Sequence, residues 1–273
     1  ISLKQEGISY IAGCELPVAI IDVMRGGPGL GNIAPEQGDY FQTVKGGGHG
    51  DYRLITLAPN SVQELAEFTC EIFELADKYR NPAVLLYDGY LGQMKEGVIF
   101  PKVKAKNYDR SSWAADGNKK GREKHIITSI YIAPEDMEKH KLRLKRKYDL
   151  IEEKEVRFEN YKSDDADIVI VAYGIVSRIA KDVVEKARKE GIKVGLLRPI
   201  TLWPFPKKEI SQIADNAKAI LTVELNMLGQ MNEDVLISAN GKCPVEFYGR
   251  CGGVIPKEKE ILEKILEINR KVK

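Results

Sequence analysis

Histidine and cysteine are scarce in this chain, at three and four residues among 273. Cys14, Cys70, Cys243 and Cys251 are scattered, with no C-x-x-C pair. That spacing argues against a zinc site or an iron–sulfur cluster held by this chain alone. It suits small buried hydrophobes in a reducing cytoplasm. Charge of one sign is also lacking, since 42 Lys and Arg nearly balance 40 Asp and Glu. The net charge of +2 gives no global reason to expect nucleic acid. No apolar run approaches the ~20 residues of a membrane helix. The opening "ISLKQEGISY" has neither the apolar stretch nor the cleavage pattern of a signal peptide. It has no initiator Met and reads as the interior of an element, as in a piece of a longer chain.

What is present is the alternation of α/β domains, and the length suffices for two of them. "LPVAIIDVM" (Leu16 to Met24) is a continuous apolar run, expected of a strand buried on both faces. A glycine-rich loop follows, then the short strand "RLITLAP". The next segment is a helix with capping-box spacing at Ser61 and Glu64. Its apolar residues, from Val62 to Tyr79, recur at intervals of three and four. Asn81-Pro82 stops it before the buried strand "AVLLYD", an order that predicts a parallel sheet. From about Lys102 the periodicity dissolves until a helix begins at Pro134. Between Lys139 and Lys147 that helix carries six Lys or Arg without interleaved aromatics. It reads as a solvated connection rather than a nucleic-acid patch. A second unit starts at Asp167, where "DIVIVAYG", "IKVGLLRP", "AKAILTVE" and "VEFYG" alternate with helices, the first closed by Gly191. The expected division is a domain over 1–102, a polar linker with the charged helix over 103–163, and a domain over 164–273.

Chemistry gathers in the loops. "VMRGGPGLGN" ends an apolar run in Arg25, and four of the next six residues are glycine. Glycine permits positive φ and close approach of backbone, while arginine offers a rigid fork of donors for a carboxylate or phosphate. A small anion meeting bare backbone is the reading. "GPGLG" comes near a dinucleotide motif, but Pro28, Pro35 and Gly38 prevent a helix from opening there. No Lys-Ser or Lys-Thr follows as a P-loop requires, and "YGIVSRIA" has too few glycines. A second glycine-rich loop holds Gln37, Asp39, His49 and Asp51, with His49 flanked by glycines. These side chains suit proton transfer, and they suit equally the hydrogen-bonding needs of loop backbone. His125 and His140 lie in polar segments and are expected at the surface. "RPITLWPFP" reads either as a rigid connection anchored by Trp203 and Phe205 or as a subunit or domain contact. "RCGG", with Arg250, is a similar loop after a strand.

Six blocks taken together, "SLKQEGISY", "VMRGGPGLGN", "QGDYFQ", "GGGHGDYRL", "RPITLWPFP" and "PVEFYGRCGG", resemble the α-type subunit of the 2-oxoacid:ferredoxin oxidoreductases. The "GGGHGDY" version is most similar to the branched-chain (3-methyl-2-oxobutanoate) enzymes. The similarity covers nearly the whole chain except about Lys102 to Asp164. It implies an α/β fold of two parallel-sheet domains. The first is a thiamine-diphosphate pyrimidine-type domain, incomplete as numbered, and the second is transketolase C-terminal-like. Family members convert a 2-oxo acid and coenzyme A to acyl-CoA and carbon dioxide, passing two electrons to ferredoxin. The resemblance further implies a β-type partner that supplies the diphosphate and Mg²⁺ site and a [4Fe–4S] cluster. It also implies γ and δ subunits, a cytoplasmic location, and no membrane or nucleic-acid partner. Arg25 stands where the family places the arginine that holds the substrate carboxylate; capping of loop carbonyls, or pairing with Asp39, is the alternative. Gly26, Gly27 and Asn32 become loop candidates for cofactor contact, His49 the candidate for catalysis, and no metal ligand is assigned. The family's Tyr-Pro-Ile-Thr-Pro motif and its cofactor-contacting glutamate do not precede Ile1, so this chain alone is expected to be inactive. Rival readings are the same family acting on 2-oxoglutarate or pyruvate, and the E1-type component of a lipoamide-linked, NAD-coupled dehydrogenase. A nucleic-acid-binding protein using the Lys139 to Lys147 helix is a third.

Overall fold

Apolar strands from the two halves of the sequence build two sheets in the computed structural model, which describes residues 1–102, 106–117, 121 and 123–272. In the first, β1 (Ala19–Met24), β2 (Ile55–Leu57) and β3 (Ala83–Asp88) run parallel in the order β1-β3-β2. The second contains β4 (Phe158–Tyr161), β5 (Ile168–Val171) and β6 (Val194–Pro199) from the middle of the chain. Between β6 and the last two strands lies β7 (Thr201–Trp203), and then come β8 (Ala219–Glu224) and β9 (Val245–Gly249). The second sheet has the order β4-β6-β5-β8-β9, parallel except for the edge strand β4. β7 does not join it. It crosses to the first sheet and pairs antiparallel with β2. β4, which the expected division leaves in the linker, is part of the second sheet. That linker includes residues 103–105, 118–120 and 122, which lie outside the described residues.

Helix α1 (Gln5–Gly13) precedes β1, and α2 (Val62–Tyr79) lies over β2 and β3. Ser61 starts α2 as expected, its side chain accepting from Glu64 N at 3.1 Å. The carboxylate of Glu64 reaches back one residue further, to Asn60 N at 2.8 Å. β1 is an edge strand. Its Ile21 and Val23 are 52% and 47% exposed, where coverage on both faces was expected. An apolar run reports a preference for burial, but α2 is centred on the inner strands and leaves this outer face open.

A short helix α3 (Gly89–Gln93) follows β3, and the charged helix is α4 (Pro134–Lys154). Pro134 at its start and Glu135 and Asp136 in its first turn favour the N-terminus. Its buried stripe is His140, Leu144, Tyr148 and Ile151, with Tyr148 set edge-on to Trp203 at 5.8 Å. His140 is therefore a core residue, only 3% exposed, not the surface residue its polar neighbours suggested. It lies one helical turn from Leu144, stacks on Tyr131 at 4.6 Å, and receives Arg143 Nη2 at 2.8 Å on Nδ1. His125 is half-buried, with Nδ1 2.9 Å from the Ala114 carbonyl.

In the second unit, α5 (Gly174–Lys189) and α8 (Glu258–Lys271) pack together against one side of the sheet. Helices α6 (Lys207–Asn216) and α7 (Gln230–Ala239) contribute to a core shared with the first sheet. Arg198 on β6 is 2% exposed and binds Glu64 of α2, with Nη1 2.9 Å from Oε1, and the Ala58 carbonyl at 3.0 Å. The "RPITLWPFP" stretch is thus both things it promised. It anchors Trp203 and Phe205, each 4% exposed, and it is a contact between the two units. Only Cys14 of the four cysteines is buried; Cys70 and Cys243 are half-buried and Cys251 is exposed on the loop after β9, where connections run over the surface. Among the described residues no helix is long and apolar enough to cross a membrane.

Candidate functional site

Strands β1 and β3 of the first sheet and β5 and β8 of the second end against a common strap, residues 25–42. Ligands of α/β folds collect at such carboxyl ends. Arg25 follows β1 and forms an isolated bridge with Pro35, which closes 26–34 into a loop. Gly26 N donates to Ala34 O at 2.8 Å, and Asn32 N to Gly26 O at 3.0 Å. Gly31 is needed for that closure. Its φ is +50°, and a Cβ there would lie 1.8 Å from Gly26 O. Arg25 Nη1 sits over the loop and donates to the carbonyls of Leu30, Asn32 (2.9 Å) and Gly26 (3.4 Å). The alternative of carbonyl capping is therefore realised, but by one nitrogen. Arg25 itself remains exposed, and its Nε–Nη2 edge takes no part in these bonds.

The loop is locked to the second unit. Glu36, 7% exposed, accepts from Gly27 N at 2.9 Å and from Gly252 N at 2.8 Å. Asn32 Nδ2 donates to Gly252 O at 3.1 Å, while its Oδ1 accepts from Ala34 N. The ambiguous "RCGG" loop is the lid of this seam. Gly253, at φ +90°, lies where a Cβ would meet Ala34 Cβ at 2.2 Å. Sequence reasoning missed Glu36, whose only signal was an acid among the polar residues of the loop. Farther along the strap, Gln37 is fully buried and bonds Leu225 through backbone and side chain at 2.7 and 3.0 Å. Tyr40 Oη donates to Asp234 of α7 at 2.7 Å, and Asp234 also pairs with Lys45.

Several carboxyls crowd these strand ends. Burial, with Asp39 beside it, pushes Asp22 up to about 6, and its Oδ2 has no hydrogen-bond partner among the described residues. Burial raises Asp39 as well. Asp88 caps α3 through Leu91 N (3.0 Å) and reaches Ile175 N at 3.2 Å, yet burial still holds it above the ordinary range. Glu224, at the end of β8, is likewise raised by burial while it accepts from Met231 N and Asn232 N, each at 2.9 Å.

The candidates separate into two places. Arg25, Gly26, Gly27 and Asn32 come together in one loop. Gly26 is buried and faces the Asn32 side chain, so only Gly27 of the two offers backbone outward. Neither Gly27 nor Gly29 has any atom within 4 Å of where a side chain would begin. That bare edge beside a cation leaves backbone open to close approach by a small anion. His49 lies elsewhere. It is exposed, its carbonyl accepts from Ser9 Oγ at 2.5 Å, and it borders a cavity of ≈ 600 Å³ formed with α1 and α4, not with the Arg25 loop. Among the described residues no group of three His, Cys, Asp or Glu side chains is arranged to hold a metal.

Comparison with known proteins agrees with the two-unit fold. Residues 1–160 match the family described as pyruvate flavodoxin/ferredoxin oxidoreductase, thiamine diphosphate-binding. Residues 166–261 match pyruvate:ferredoxin oxidoreductase core domain II. The chain is 54% identical to ketoisovalerate oxidoreductase subunit VorB of Methanothermobacter thermautotrophicus over 98% of its own length and 75% of that protein. It is 35% identical to 2-oxoglutarate synthase subunit KorA of Methanothermobacter marburgensis, over 97% of this chain and 77% of that one. A 2-oxoglutarate:ferredoxin oxidoreductase from Magnetococcus marinus, solved with 2-oxoglutarate, coenzyme A and succinyl-CoA bound, has the same fold at a TM-score of 0.83. That match has 24% identity and covers 98% of this chain, which spans about half (51%) of the solved one. Fold, matched domains and relatives converge: this chain belongs to the pyruvate flavodoxin/ferredoxin oxidoreductase family.

Proposed function

We propose that the chain is the α-type subunit of an oxidoreductase that converts a branched-chain 2-oxo acid and coenzyme A to acyl-CoA and carbon dioxide, with ferredoxin as acceptor. The observation that carries this is Arg25, a cation at a strand end whose Nη1 holds the loop carbonyls while its Nε–Nη2 edge makes no hydrogen bond among the described residues. The free edge suits both oxygens of a carboxylate. The substrate class follows the relatives, since those named for ketoisovalerate are 54% identical and those named for 2-oxoglutarate 35%.

Thiamine diphosphate, when bound, supplies the nucleophile and the electron sink. The part played by this chain is to hold the acid. A carboxylate on Arg25 meets glycine backbone at Gly27 and Gly29, where side chains would otherwise crowd it. The carboxylate loses its charge on departing as carbon dioxide, so too strong a grip would favour the ground state. The three carbonyl oxygens already on Nη1 temper that grip. Glu36 and Asn32 keep the loop closed against the second unit, which fixes where the cation points. The β-type partner is assigned the diphosphate, Mg²⁺ and the [4Fe–4S] cluster, and γ and δ subunits complete the enzyme. His49 takes no part in this scheme, because its neighbours are α1 and α4.

The test is turnover by the purified native complex against a panel of 2-oxo acids, with coenzyme A and a viologen or ferredoxin acceptor. Branched acids should give the highest kcat/KM. Preference for 2-oxoglutarate, or transfer to lipoamide instead of ferredoxin, would overturn the assignment. Cluster iron in the isolated 273-residue chain would overturn the division of labour.

A further inference from the structure

The tip of the Arg25 loop is built more firmly than a surface loop requires, and it presents a leucine. We propose that Leu30 is a specificity-determining residue, the apolar wall against which the branched side chain of the substrate packs. This rests on the reading that Arg25 holds the substrate carboxylate.

The Leu30 carbonyl accepts directly from Arg25 Nη1. With C=O and Cα–C bonds of about 1.2 and 1.5 Å, that contact holds Leu30 Cα within roughly 6 Å of the guanidinium nitrogen. The backbone on either side is set by Gly29 and Gly31, at φ +65° and +50°, a region that other residues rarely adopt. The leucine side chain is nevertheless 91% exposed. Ile33, 89% exposed, differs in position: its neighbours Asn32 and Ala34 are bound into the seam with Gly252 and Gly253. Leu30 instead adjoins the open edge at Gly29.

The chemistry of the substrate matches this spacing. In a 2-oxo acid branched at the third carbon, the methyl groups lie about 4 Å or less from the carboxylate carbon by ordinary bond lengths. A carboxylate on the Nε–Nη2 edge of Arg25 shares its guanidinium with the Leu30 carbonyl on Nη1, so the proposal has the exposed leucine side chain turned to the branch, at an apolar contact of up to about 4.5 Å. One methylene more or less in such a contact changes selectivity by about 10- to 200-fold.

The experiment uses the assembled holoenzyme carrying Leu30→Ala or Leu30→Phe. It compares kcat/KM for 2-oxopropanoate, 3-methyl-2-oxobutanoate and the longer 4-methyl-2-oxopentanoate. Leu30→Ala should raise the ratio of the longer acid to 3-methyl-2-oxobutanoate about tenfold. Leu30→Phe should lower that ratio and shift preference toward 2-oxopropanoate. Opposite shifts from the two variants are what a wall produces and a merely structural residue does not. Ratios within twofold of the unsubstituted enzyme in both variants would overturn the proposal. So would loss of assembly in both, which would make the tip a subunit contact. If the unsubstituted complex turns over no 2-oxo acid, the proposed function falls and this inference with it; an active complex with unmoved ratios defeats the inference alone.

Discussion

Under the proposed function Arg25 divides its guanidinium between the loop carbonyls and the substrate carboxylate, and substitution separates the two tasks. Arg25→Ala would then remove a charge-assisted bond to the substrate, at an expected loss on the order of 2–4 kcal/mol in kcat/KM. Arg25→Lys should recover only part, because an ammonium cannot hold the loop carbonyls with one nitrogen and a carboxylate with two others. Thiamine diphosphate affinity should barely change in either. Normal assembly with near-native kcat/KM for every 2-oxo acid tested would remove Arg25 from the site. Asp22 offers a second test. Its carboxyl, pushed up to about 6 by burial and by Asp39, binds its proton more tightly folded than unfolded, where 3.8 is ordinary. Its contribution to stability is thus fully present below about pH 4 and is lost as pH rises through about 6. The gap corresponds to about 3 kcal/mol at most. Asp22→Asn should raise stability at pH 8 by about 1–3 kcal/mol and leave it nearly unchanged at pH 4, as urea unfolding at the two pH values would report. No gain at pH 8 would mean that Asp22 is not a strained charge.

Helix α4 shows what periodicity reveals and what it hides. Its start at Pro134 was legible from local chemistry, because a proline followed by Glu135 and Asp136 is favourable in a first turn. The roles of its cations were not, since their partners come from distant parts of the chain. Among the described residues Lys139 and Lys145 pair within the helix, with Asp136 and Asp149. Lys147, just four residues from Arg143, is drawn inward, and both bind Glu15. Burial alone would raise the Glu15 carboxyl, but Lys147 and Arg143 hold it below the ordinary range. Lys139→Gln with Lys145→Gln should leave turnover and assembly within a few-fold. Lys147→Ala should destabilise by about 2–4 kcal/mol, short of a wholly broken buried pair because Arg143 still faces Glu15. Equal effects from the outer and inner lysines would contradict this division. His140 was misread for the same reason. Its flanking residues are polar, and only its four-residue spacing to Leu144 and Tyr148 signalled the stripe.

The alternation of strand and helix was enough to foresee two α/β units, because burial and β–α–β order are local properties. How the units meet was not foreseeable in that way. β7 is three residues in a proline-rich stretch, too short to carry a period, and its pairing with β2 depends on residues some 145 positions earlier by chain order. Glu36 and Tyr40 resembled ordinary loop residues, Gln37 stood between proton transfer and loop hydrogen bonding, and the contacts of all three run across the seam. Arg198 ties the same seam from the other side and gives the last test. Its guanidinium, 2% exposed, binds Glu64 and the Ala58 carbonyl from the first unit and Glu159 from its own. Arg198→Ala leaves those acids and that carbonyl without their donor. Glu64 and Glu159 keep 22% and 32% of their side-chain surface, so water relieves part of the loss. The expected cost is about 2–4 kcal/mol, below the ~3–5 kcal/mol of a fully buried pair. Arg198→Lys should restore less than half of it, for want of the fork that spans both oxygens of Glu64. Adding Glu64→Gln to Arg198→Ala should cost much less than the sum of the two single changes, because the first already breaks the pair. Additive losses in that cycle would show that Arg198 stabilises the second unit by packing alone, and that the two units are held together by the strap and β7.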